Sequence, residues 1–249
     1  MQSICTNLAD LSSELAAVRA EQERQADLLE ESCETDTGPR PANCYEALEE
    51  SQKSGVTVIR VPKYSQKSFK VACDQDTNGG GWTIILRRTD GSEDFYREWE
   101  DYEKGFGLAD GEYFVGLGRL HALTSSVRQE LLILMEDYEG EQRYELYNNF
   151  RVGSEAKNYT LESVGSFSGT AGDSLTYHKG MQFSTKDRDN DIHETIHCAQ
   201  HFKANGVGDI VARVVLVGDL VGVAAPLLFP LPQPPFPWSR KSSPTVMAT

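Results

Sequence analysis

The N-terminal part of the chain carries apolar residues at heptad spacing. No Gly or Pro interrupts residues 4–29, and Glu, Ala, Arg and Gln, which favour helix, fill many positions of this segment. Because a lone helix of this length is marginal in water, we predict a coiled-coil oligomerisation helix over residues 1–33. The alternative is a single amphipathic helix packed on its own domain. The seam consists of Ile4, Leu8, Leu11, Leu15, Val18 and Leu29, with Gln22 and Gln25 interrupting it.

From residue 43 onward, short β-rich runs replace the helical spacing. Asn43 is a suitable N-cap for a short helix that begins at Cys44. Residues 131–135 are continuously apolar, as expected of a central strand, and residues 144–150 should pair with them. Because strands outnumber helices and lie near one another in sequence, the pattern predicts an α+β domain with a central antiparallel sheet. The predicted strands are 55–61, 69–73, 82–86, 131–135, 144–150 and 158–164.

Residues 34–42 and 207–249 lack the patterns of a packed domain. The first segment contains two prolines and is predicted to be a linker. The second begins with an apolar run, which Arg213 and Asp219 interrupt, and continues with a stretch dominated by proline. Two charges inside a membrane helix would each cost about 2.5–3.5 kcal/mol, so a membrane span is disfavoured. Because proline excludes regular helix and central strand, we expect this tail to be disordered.

The composition points away from nucleic acid and towards an oxidising compartment. A formal net charge of −14 disfavours nucleic acid and anionic membranes as partners and leaves carboxylates that can hold a cation. The five cysteines match no zinc spacing such as C-x-x-C, which favours disulfides and secretion. Asn158 begins an Asn-Tyr-Thr glycosylation sequon, which fits an extracellular protein. The first residues show neither the basic start nor the apolar core of a signal peptide.

Cys5 and Cys33 flank the heptad seam at its two ends. If Leu8 is at position a, both cysteines fall at position e, four heptads apart. Disulfides between chains at these positions would lock an oligomer. Both residues are therefore candidates for interchain disulfides.

Residues 73–95 combine two turns with a short strand and carry the most specific motif in the chain. After Cys73-Asp74, residues 79–83 read Gly-Gly-Gly-Trp-Thr and residues 87–95 read Arg-Arg-Thr-Asp-Gly-Ser-Glu-Asp-Phe. The glycines suit a tight reversal because they take positive φ at little steric cost. This motif resembles the signature of fibrinogen C-terminal domains, a family that includes fibrinogen chains, ficolins, tachylectins, tenascins and angiopoietins. The resemblance covers residues 43–206 and implies an incomplete domain of this type, followed by a non-homologous tail.

The resemblance also bears on the cysteines of the domain. In the family, the residues that correspond to Cys44 and Cys73 form a disulfide, so we carry this pairing over. A second disulfide of the family cannot form here, because no cysteine follows Cys198. The family pattern ends after Gly206, and the part that is missing normally carries most of the ligand pocket.

Residues 184–191 contain aspartates at three alternate positions. Taken alone, such a run is more often a solvated turn, and the loop lacks the Gly and Glu that an EF-hand requires. Residues 183–191, however, resemble the calcium loop of the fibrinogen C-terminal family. The resemblance implies that Ca²⁺ is bound by the side chains of Asp189 and Asp191 and by the backbone carbonyls of His193 and Thr195.

Other chemistry in this region is less well supported. His193, His197 and His201 lie four residues apart, but three His and one Glu in a loop do not make a zinc motif. Cys198 and His201 lack a third group that would orient a nucleophilic pair. We therefore do not expect an enzyme.

The resemblance implies two functions of different classes. The first is a secreted, calcium-dependent recognition protein that binds acetylated sugars on microbial surfaces in innate immunity and is impaired here by the altered C-terminus. The coiled coil would raise weak binding per domain through multivalency in a homo-oligomer. The alternative is a signalling or extracellular-matrix ligand, similar to angiopoietins or tenascins, that binds a cell-surface receptor.

Removal of residues 1–33 should convert an oligomer into monomers, because the predicted seam has no other partner. Sedimentation velocity measures the change, and an unchanged oligomer would show that the contacts lie elsewhere. In the full chain, a Cys5→Ser, Cys33→Ser double variant should lose the higher species that non-reducing gels resolve.

Overall fold

The computed structural model describes residues 22, 24, 38–137, 140–201, 206–207 and 242–248. The predicted coiled coil, including Cys5 and Cys33, lies outside these residues except at Gln22 and Arg24, which are helical and exposed. The apolar run that follows Gly206 also lies outside them. No helix in the part of the chain that is described is long and apolar enough to cross a membrane.

The domain consists mainly of short strands joined by turns. The helices are α1 (Cys44–Ala47), α2 (Trp99–Lys104), α3 (Leu117–Ser126) and α4 (Cys198–His201). Single 3-10 turns occur at Thr77–Gly79, Glu155–Lys157 and Thr176–His178. The strands are β1 (Gly55–Ile59), β2 (Phe69–Asp74), β3 (Trp82–Arg87), β4 (Phe106–Gly107), β5 (Tyr113–Phe114), β6 (Gln129–Asp137), β7 (Gln142–Val152), β8 (Leu161–Ser163), β9 (Phe167–Gly169), β10 (Phe183–Ser184), β11 (Gly206–Val207) and β12 (Ser242–Ala248).

The main sheet is antiparallel throughout its described pairings, as the sequence pattern predicts. Its strand order is β1-β2-β3-β12-β6-β7-β8, with β5 beside β3, β4 beside β5, and β9 beside β7. Strands β10 and β11 form a separate pair. The predicted runs correspond to β1, β2, β3, β6 and β7.

The last predicted strand is shorter than expected. Residues 158–164 were predicted to be extended, but β8 begins only at Leu161. Asn158 and Tyr159 both have φ of 49°, in the left-handed region, so the chain turns sharply before the strand starts. Asn tolerates this conformation better than most residues, whereas a buried Tyr does so only where the surrounding packing fixes it.

The carboxylate of Glu112 anchors the loop between β3 and α2. Its Oε1 accepts hydrogen bonds from the N–H groups of Thr89, Asp90 and Gly91 at 2.6–3.0 Å, and its Oε2 accepts one from Glu93 at 3.0 Å. Burial favours a higher pKa for Glu112, but these backbone donors outweigh it and lower the pKa. The carboxylate is therefore ionised and holds the loop in one conformation.

Arg88 completes this anchor beneath the loop. Its guanidinium lies 3.3 Å from the Glu112 carboxylate and is almost fully buried with it. The same guanidinium packs over the ring of Phe95, 4.0 Å from the centroid, and donates to the carbonyl of Glu93. The Arg, Asp-Gly and Phe of the sequence motif thus form one packed unit.

A disulfide joins α1 to β2. Cys44 and Cys73 are bonded, with a Cα–Cα distance of 5.5 Å, and both are buried. This is the pairing that the resemblance implies. The bond closes a loop across 29 residues that contains β1. Such a bond stabilises by about 3 kcal/mol, chiefly by restricting the unfolded chain.

Strand β12 lies at the centre of the sheet, antiparallel to β3 on one side and to β6 on the other. Met247 in this strand is completely buried. The expectation that the whole tail is disordered is therefore wrong for residues 242–248. In the described sheet β3 and β6 do not pair with each other, so a strand from elsewhere must satisfy their facing backbone groups.

A proline, Pro244, lies in this central strand, where a missing N–H normally breaks the ladder. Pro244 lies opposite Met135 of β6, whereas pairing with β3 begins one residue later, at Thr245. The proline therefore occupies a part of the strand that has a single partner. Its missing N–H can face the open side without breaking the ladder.

Met247→Ala should lower the free energy of unfolding of the full chain by about 2–5 kcal/mol, because it removes a buried side chain from the middle of the sheet. Urea denaturation followed by circular dichroism measures this difference. Val127→Ala is the control, since Val127 is 58% exposed, and it should change the free energy by less than about 0.5 kcal/mol. Equal effects of the two substitutions would contradict the position of β12.

Candidate functional site

Asp187 fixes the acidic loop to the body of the domain. Its Oδ1 accepts a hydrogen bond of 2.9 Å from the N–H of Trp99, at the start of α2, and one of 2.7 Å from the hydroxyl of Thr185. Thr185 and Arg188 also pair through their backbones and close a tight turn. Although Asp187 belongs to the same alternating run as Asp189 and Asp191, its carboxylate is already used by the fold.

Arg188 provides a second attachment. Its guanidinium stacks on the indole of Trp99, 3.9 Å from the ring centroid, and its Nη2 donates to Asn158 Oδ1 at 2.7 Å. Asn158 Nδ2 in turn donates to Gln182 at 2.7 Å. The predicted glycosylation acceptor is thus hydrogen-bonded through both atoms of its amide, and a glycan at Asn158 stays a prediction.

Asp191 organises the segment that follows. Its Oδ1 accepts a hydrogen bond from the N–H of His193 and its Oδ2 accepts one from the N–H of Cys198, both at 2.8 Å. Burial favours a higher pKa for Asp191. Hydrogen bonds from Cys198 and His193, together with an interaction with Asp189, more than offset this effect and lower the pKa. The carboxylate is therefore ionised at neutral pH.

Asp189 lies beside Asp191 and is more exposed. Its Oδ1 accepts only a long hydrogen bond of 3.3 Å, from the N–H of Asp191. Within residues 184–201, the Asp189 carboxylate consequently has more capacity to accept a new partner than those of Asp187 and Asp191.

The four residues that the resemblance assigns to calcium lie together in this loop. The carbonyls of His193 and Thr195 accept no hydrogen bond from any residue that the structure describes. The turn between them is held by His193 Nδ1, which accepts the N–H groups of Thr195 at 3.4 Å and Ile196 at 3.2 Å. The candidate ligands are thus two carboxylates and two backbone carbonyls. All four groups offer oxygen atoms, which are the ligands that Ca²⁺ prefers.

The three histidines have different surroundings. His193 and His201 are exposed, whereas His197 is half-buried with its Nε2 2.9 Å from the carbonyl of Thr185. Among the residues that are described, no group of three or more His, Cys, Asp and Glu side chains is arranged to hold a metal. Calcium binding here would therefore depend on backbone carbonyls as well as on side chains.

Sequence reasoning did not identify the residues that support this loop. Trp99, Asn158 and Gln182 come from three separate elements and meet the loop only in the folded chain. The alternating aspartates also looked equivalent, although one of them is structural. The sequence itself carries no local signal that would have pointed to these supporting residues.

The chain is similar to proteins with fibrinogen-like domains. The family model described as "Fibrinogen beta and gamma chains, C-terminal globular domain" matches residues 40–218, and so extends past residue 206. Fibrinogen C domain-containing protein 1-A of Xenopus laevis is 42% identical over 170 residues, which cover 66% of this chain and 37% of that protein. Ryncolin-4 of Cerberus rynchops is 43% identical over 161 residues, which cover 65% of this chain and 46% of that protein.

The solved structures show the same likeness. The fibrinogen-like globe domain of human ANGPTL2 matches with a TM-score of 0.69 at 34% identity, and the match covers 84% of this chain and 98% of that domain. The chain spans less than half the length of the two curated relatives. The likeness therefore concerns the globular domain and not the whole of those proteins.

Asp191→Asn should destabilise the calcium-free protein by on the order of 1 kcal/mol at neutral pH, because charged hydrogen bonds at a half-buried site are lost. Because the pKa of Asp191 is lowered in the folded state, its ionised carboxylate stabilises the fold at pH values above the ordinary pKa of about 3.9. This stabilisation is lost as the pH falls through the lowered pKa. The stability gap between wild type and variant should therefore shrink below about pH 4. Urea denaturation with chelator, from pH 3 to 7, measures the gap.

Asp110→Asn is the control for this series, because Asp110 is exposed. Its stability should follow that of the wild type at every pH. A gap for Asp191→Asn that stays constant down to pH 3 would contradict the role assigned to the ionised carboxylate.

Proposed function

The chain belongs to the family of the C-terminal globular domain of fibrinogen beta and gamma chains, and on that basis we propose that it is a secreted recognition protein rather than an enzyme. The observation that carries this proposal is the oxygen-rich loop after β10, with its ionised Asp191 and with the carbonyls of His193 and Thr195, which accept no hydrogen bond from a described residue. A loop of this kind binds a cation and presents a shaped surface beside it.

The cation that suits this loop is Ca²⁺. Asp189 and Asp191 would bind it through their side chains, and His193 and Thr195 through their carbonyls. When bound, Ca²⁺ supplies positive charge that compensates the two carboxylates and joins the two halves of the loop. Asp187 keeps its hydrogen bonds to Trp99 and Thr185 and so positions the loop before any cation arrives.

The ligand class that we favour is an acetylated sugar on a microbial surface, in innate immunity. The support is the resemblance of the calcium loop to that of ficolins and tachylectins. Binding by one domain should be weak, because the residues after 218 lie beyond the match to the family model. A homo-oligomer formed by residues 1–33, and locked through Cys5 and Cys33, would raise the avidity.

The second candidate is a signalling or matrix ligand that binds a cell-surface receptor. The likeness to the globe domain of human ANGPTL2, over 98% of that domain, favours this function. The two candidates share the fold, the calcium loop and secretion. They differ in whether the partner is a glycan or a protein.

Calcium should raise the melting temperature of the full chain only at high concentration, through preferential binding to the folded state. Stabilisation should reach about 2.7 kcal/mol when calcium is at 100 times its Kd. An Asp189→Asn, Asp191→Asn variant should lose this response, whereas Asp110→Asn should keep it. Differential scanning calorimetry with and without chelator makes the comparison, and an equal calcium response in all three proteins would overturn the assigned ligands.

The oligomeric protein should then be applied to a glycan array with calcium or with chelator. Weak, calcium-dependent binding to acetylated glycans supports the lectin function. Binding to a cell-surface protein without any glycan signal supports the receptor ligand instead. Micromolar binding of an acetylated sugar by a single domain would contradict the expectation of weak binding.

A further inference from the structure

Glu145 is a buried carboxyl group in the middle of β7. The residue is only 2% exposed, and it lies on the same strand face as the buried Tyr147. Its Oε2 accepts a hydrogen bond of 2.8 Å from the N–H of Gly172, but its Oε1 is buried without a hydrogen-bond partner. Among the residues that the structure describes, no Lys, Arg or His forms an ion pair with it.

The loop that follows β9 is attached to β7 around this carboxyl. The N–H groups of Thr170 and Ala171 donate to the carbonyl of Tyr144 at 2.8 and 3.0 Å. Further along, the N–H groups of Ser174 and Leu175 donate to the hydroxyl of Tyr147 at 3.1 and 3.2 Å. The hydrogen bond from Gly172 to Glu145 lies between these two attachments and joins them.

Close approach of the backbone encloses the carboxyl further. Gly169 of β9 pairs with Glu145, and a Cβ on this glycine would lie 2.8 Å from Glu145 Oε2 and 2.3 Å from the carbonyl of Tyr144. A side chain at Gly169 would therefore displace the carboxyl or the strand. The lack of a side chain allows β9 to cover Glu145 and keep water away from it.

The groups around Glu145 favour its neutral form. Asp173 on the loop carries a charge of the same sign, and its Oδ1 accepts hydrogen bonds from Tyr147, Leu175 and Thr176. Arg143, on the same face of β7, is paired with Glu141 at 2.9 Å. In the sheet, Glu145 pairs with Ile133 of β6 and with Gly169 of β9. Within the loop, His178 Nδ1 lies 2.9 Å from the carbonyl of Ser174.

We propose that Glu145 is a proton-dependent latch for residues 170–178. With the carboxyl protonated, the loop is held on β7 as the structure shows. When the carboxyl ionises, an uncompensated charge is left at Oε1, and the attachment of the loop weakens. This assignment does not depend on the function proposed above, because it concerns a different loop and requires neither calcium nor a sugar.

The direction of the effect follows from the environment. Burial raises the pKa of Glu145 above its ordinary value of 4.5, the Gly172 N–H opposes this, and the charge of Asp173 adds to the rise. Because the pKa of Glu145 is raised in the folded state, the protonated carboxyl stabilises the closed loop fully at pH values below the ordinary pKa. This stabilisation is lost as the pH rises through the raised pKa. The latch is therefore closed in acid and loosens towards neutral pH, opposite to the behaviour of Asp191.

The latch controls a surface that carries an exposed aromatic residue. Tyr177, within the same loop, is 62% exposed, although its neighbours Leu175 and His178 are buried. Loosening of the loop would move this side chain relative to the sheet. The domain would then present one surface on this face at acidic pH and a different one at neutral pH.

The test compares hydrogen exchange of residues 170–175 in the full-length wild type and in Glu145→Gln, which mimics the protonated carboxyl. The measured rates are first corrected for intrinsic exchange. Protection of the backbone amides of residues 170–175 in the wild type should then fall between pH 5 and pH 7.5. The fall should be about ten-fold for each pH unit by which the pKa of Glu145 is raised within that range. Glu145→Gln should remove this pH dependence. Glu130→Gln, at an exposed position of the neighbouring β6, should leave it unchanged.

Carboxyl NMR of the wild type provides a measurement that does not depend on any variant. Glu145 should titrate at higher pH than Glu130 in the same spectra. An equal pKa for the two groups would overturn the latch. The same conclusion would follow if protection of residues 170–175 changed by the same factor in wild type and in Glu145→Gln, because another group, such as His178, would then be responsible.

Discussion

The ionised carboxylate of Glu112 is the constraint on which the first half of the domain depends. Four backbone N–H groups and one guanidinium converge on it. Loss of this carboxylate would remove the four hydrogen bonds that hold the backbone of the loop. The Arg88 guanidinium would also become an uncompensated buried charge.

The aromatic core follows from this anchor. With the loop fixed, Phe95 lies beneath Arg88 and meets Phe106 edge to face, with centroids 4.9 Å apart. Tyr102 of α2 packs against the same Phe106, at 5.0 Å, and its hydroxyl donates to the carbonyl of Phe95. The position of α2 in turn places the Trp99 N–H where Asp187 can accept it. A chain of contacts therefore leads from one buried carboxylate to the acidic loop.

The sheet depends on β12, because this strand joins its two halves. Strands β1, β2 and β3 lie on one side of it and β6 and β7 on the other, without direct pairing between β3 and β6 in the described sheet. A strand that comes last in the sequence thus completes the centre of the fold. Contacts of such long sequence separation carry a large cost in loop closure, which the burial of residues such as Met247 must offset.

The sequence predicted what is local and missed what is not. Runs such as 131–135 and 144–150 were recognised from their own periodicity, and the structure places them in β6 and β7. Residues 242–248 were missed because seven residues beside a proline-rich stretch carry little periodic signal, and their pairing partners lie more than a hundred positions away. Asn158 and Tyr159 were predicted as strand because left-handed backbone is set by packing that the sequence does not display.

The acidic loop illustrates why composition alone could not rank its three aspartates. All three are equivalent in sequence, yet Asp187 is used to hold α2, Asp191 to order the chain up to Cys198, and Asp189 accepts one long hydrogen bond. Ordering the loop by hydrogen bonds before a cation binds reduces the entropy that binding must overcome. Asp187 and Asp191 therefore order this loop before any cation binds. A cation that binds here gains its energy chiefly from Asp189 and the open carbonyls, since those oxygens lose least when they leave their present partners.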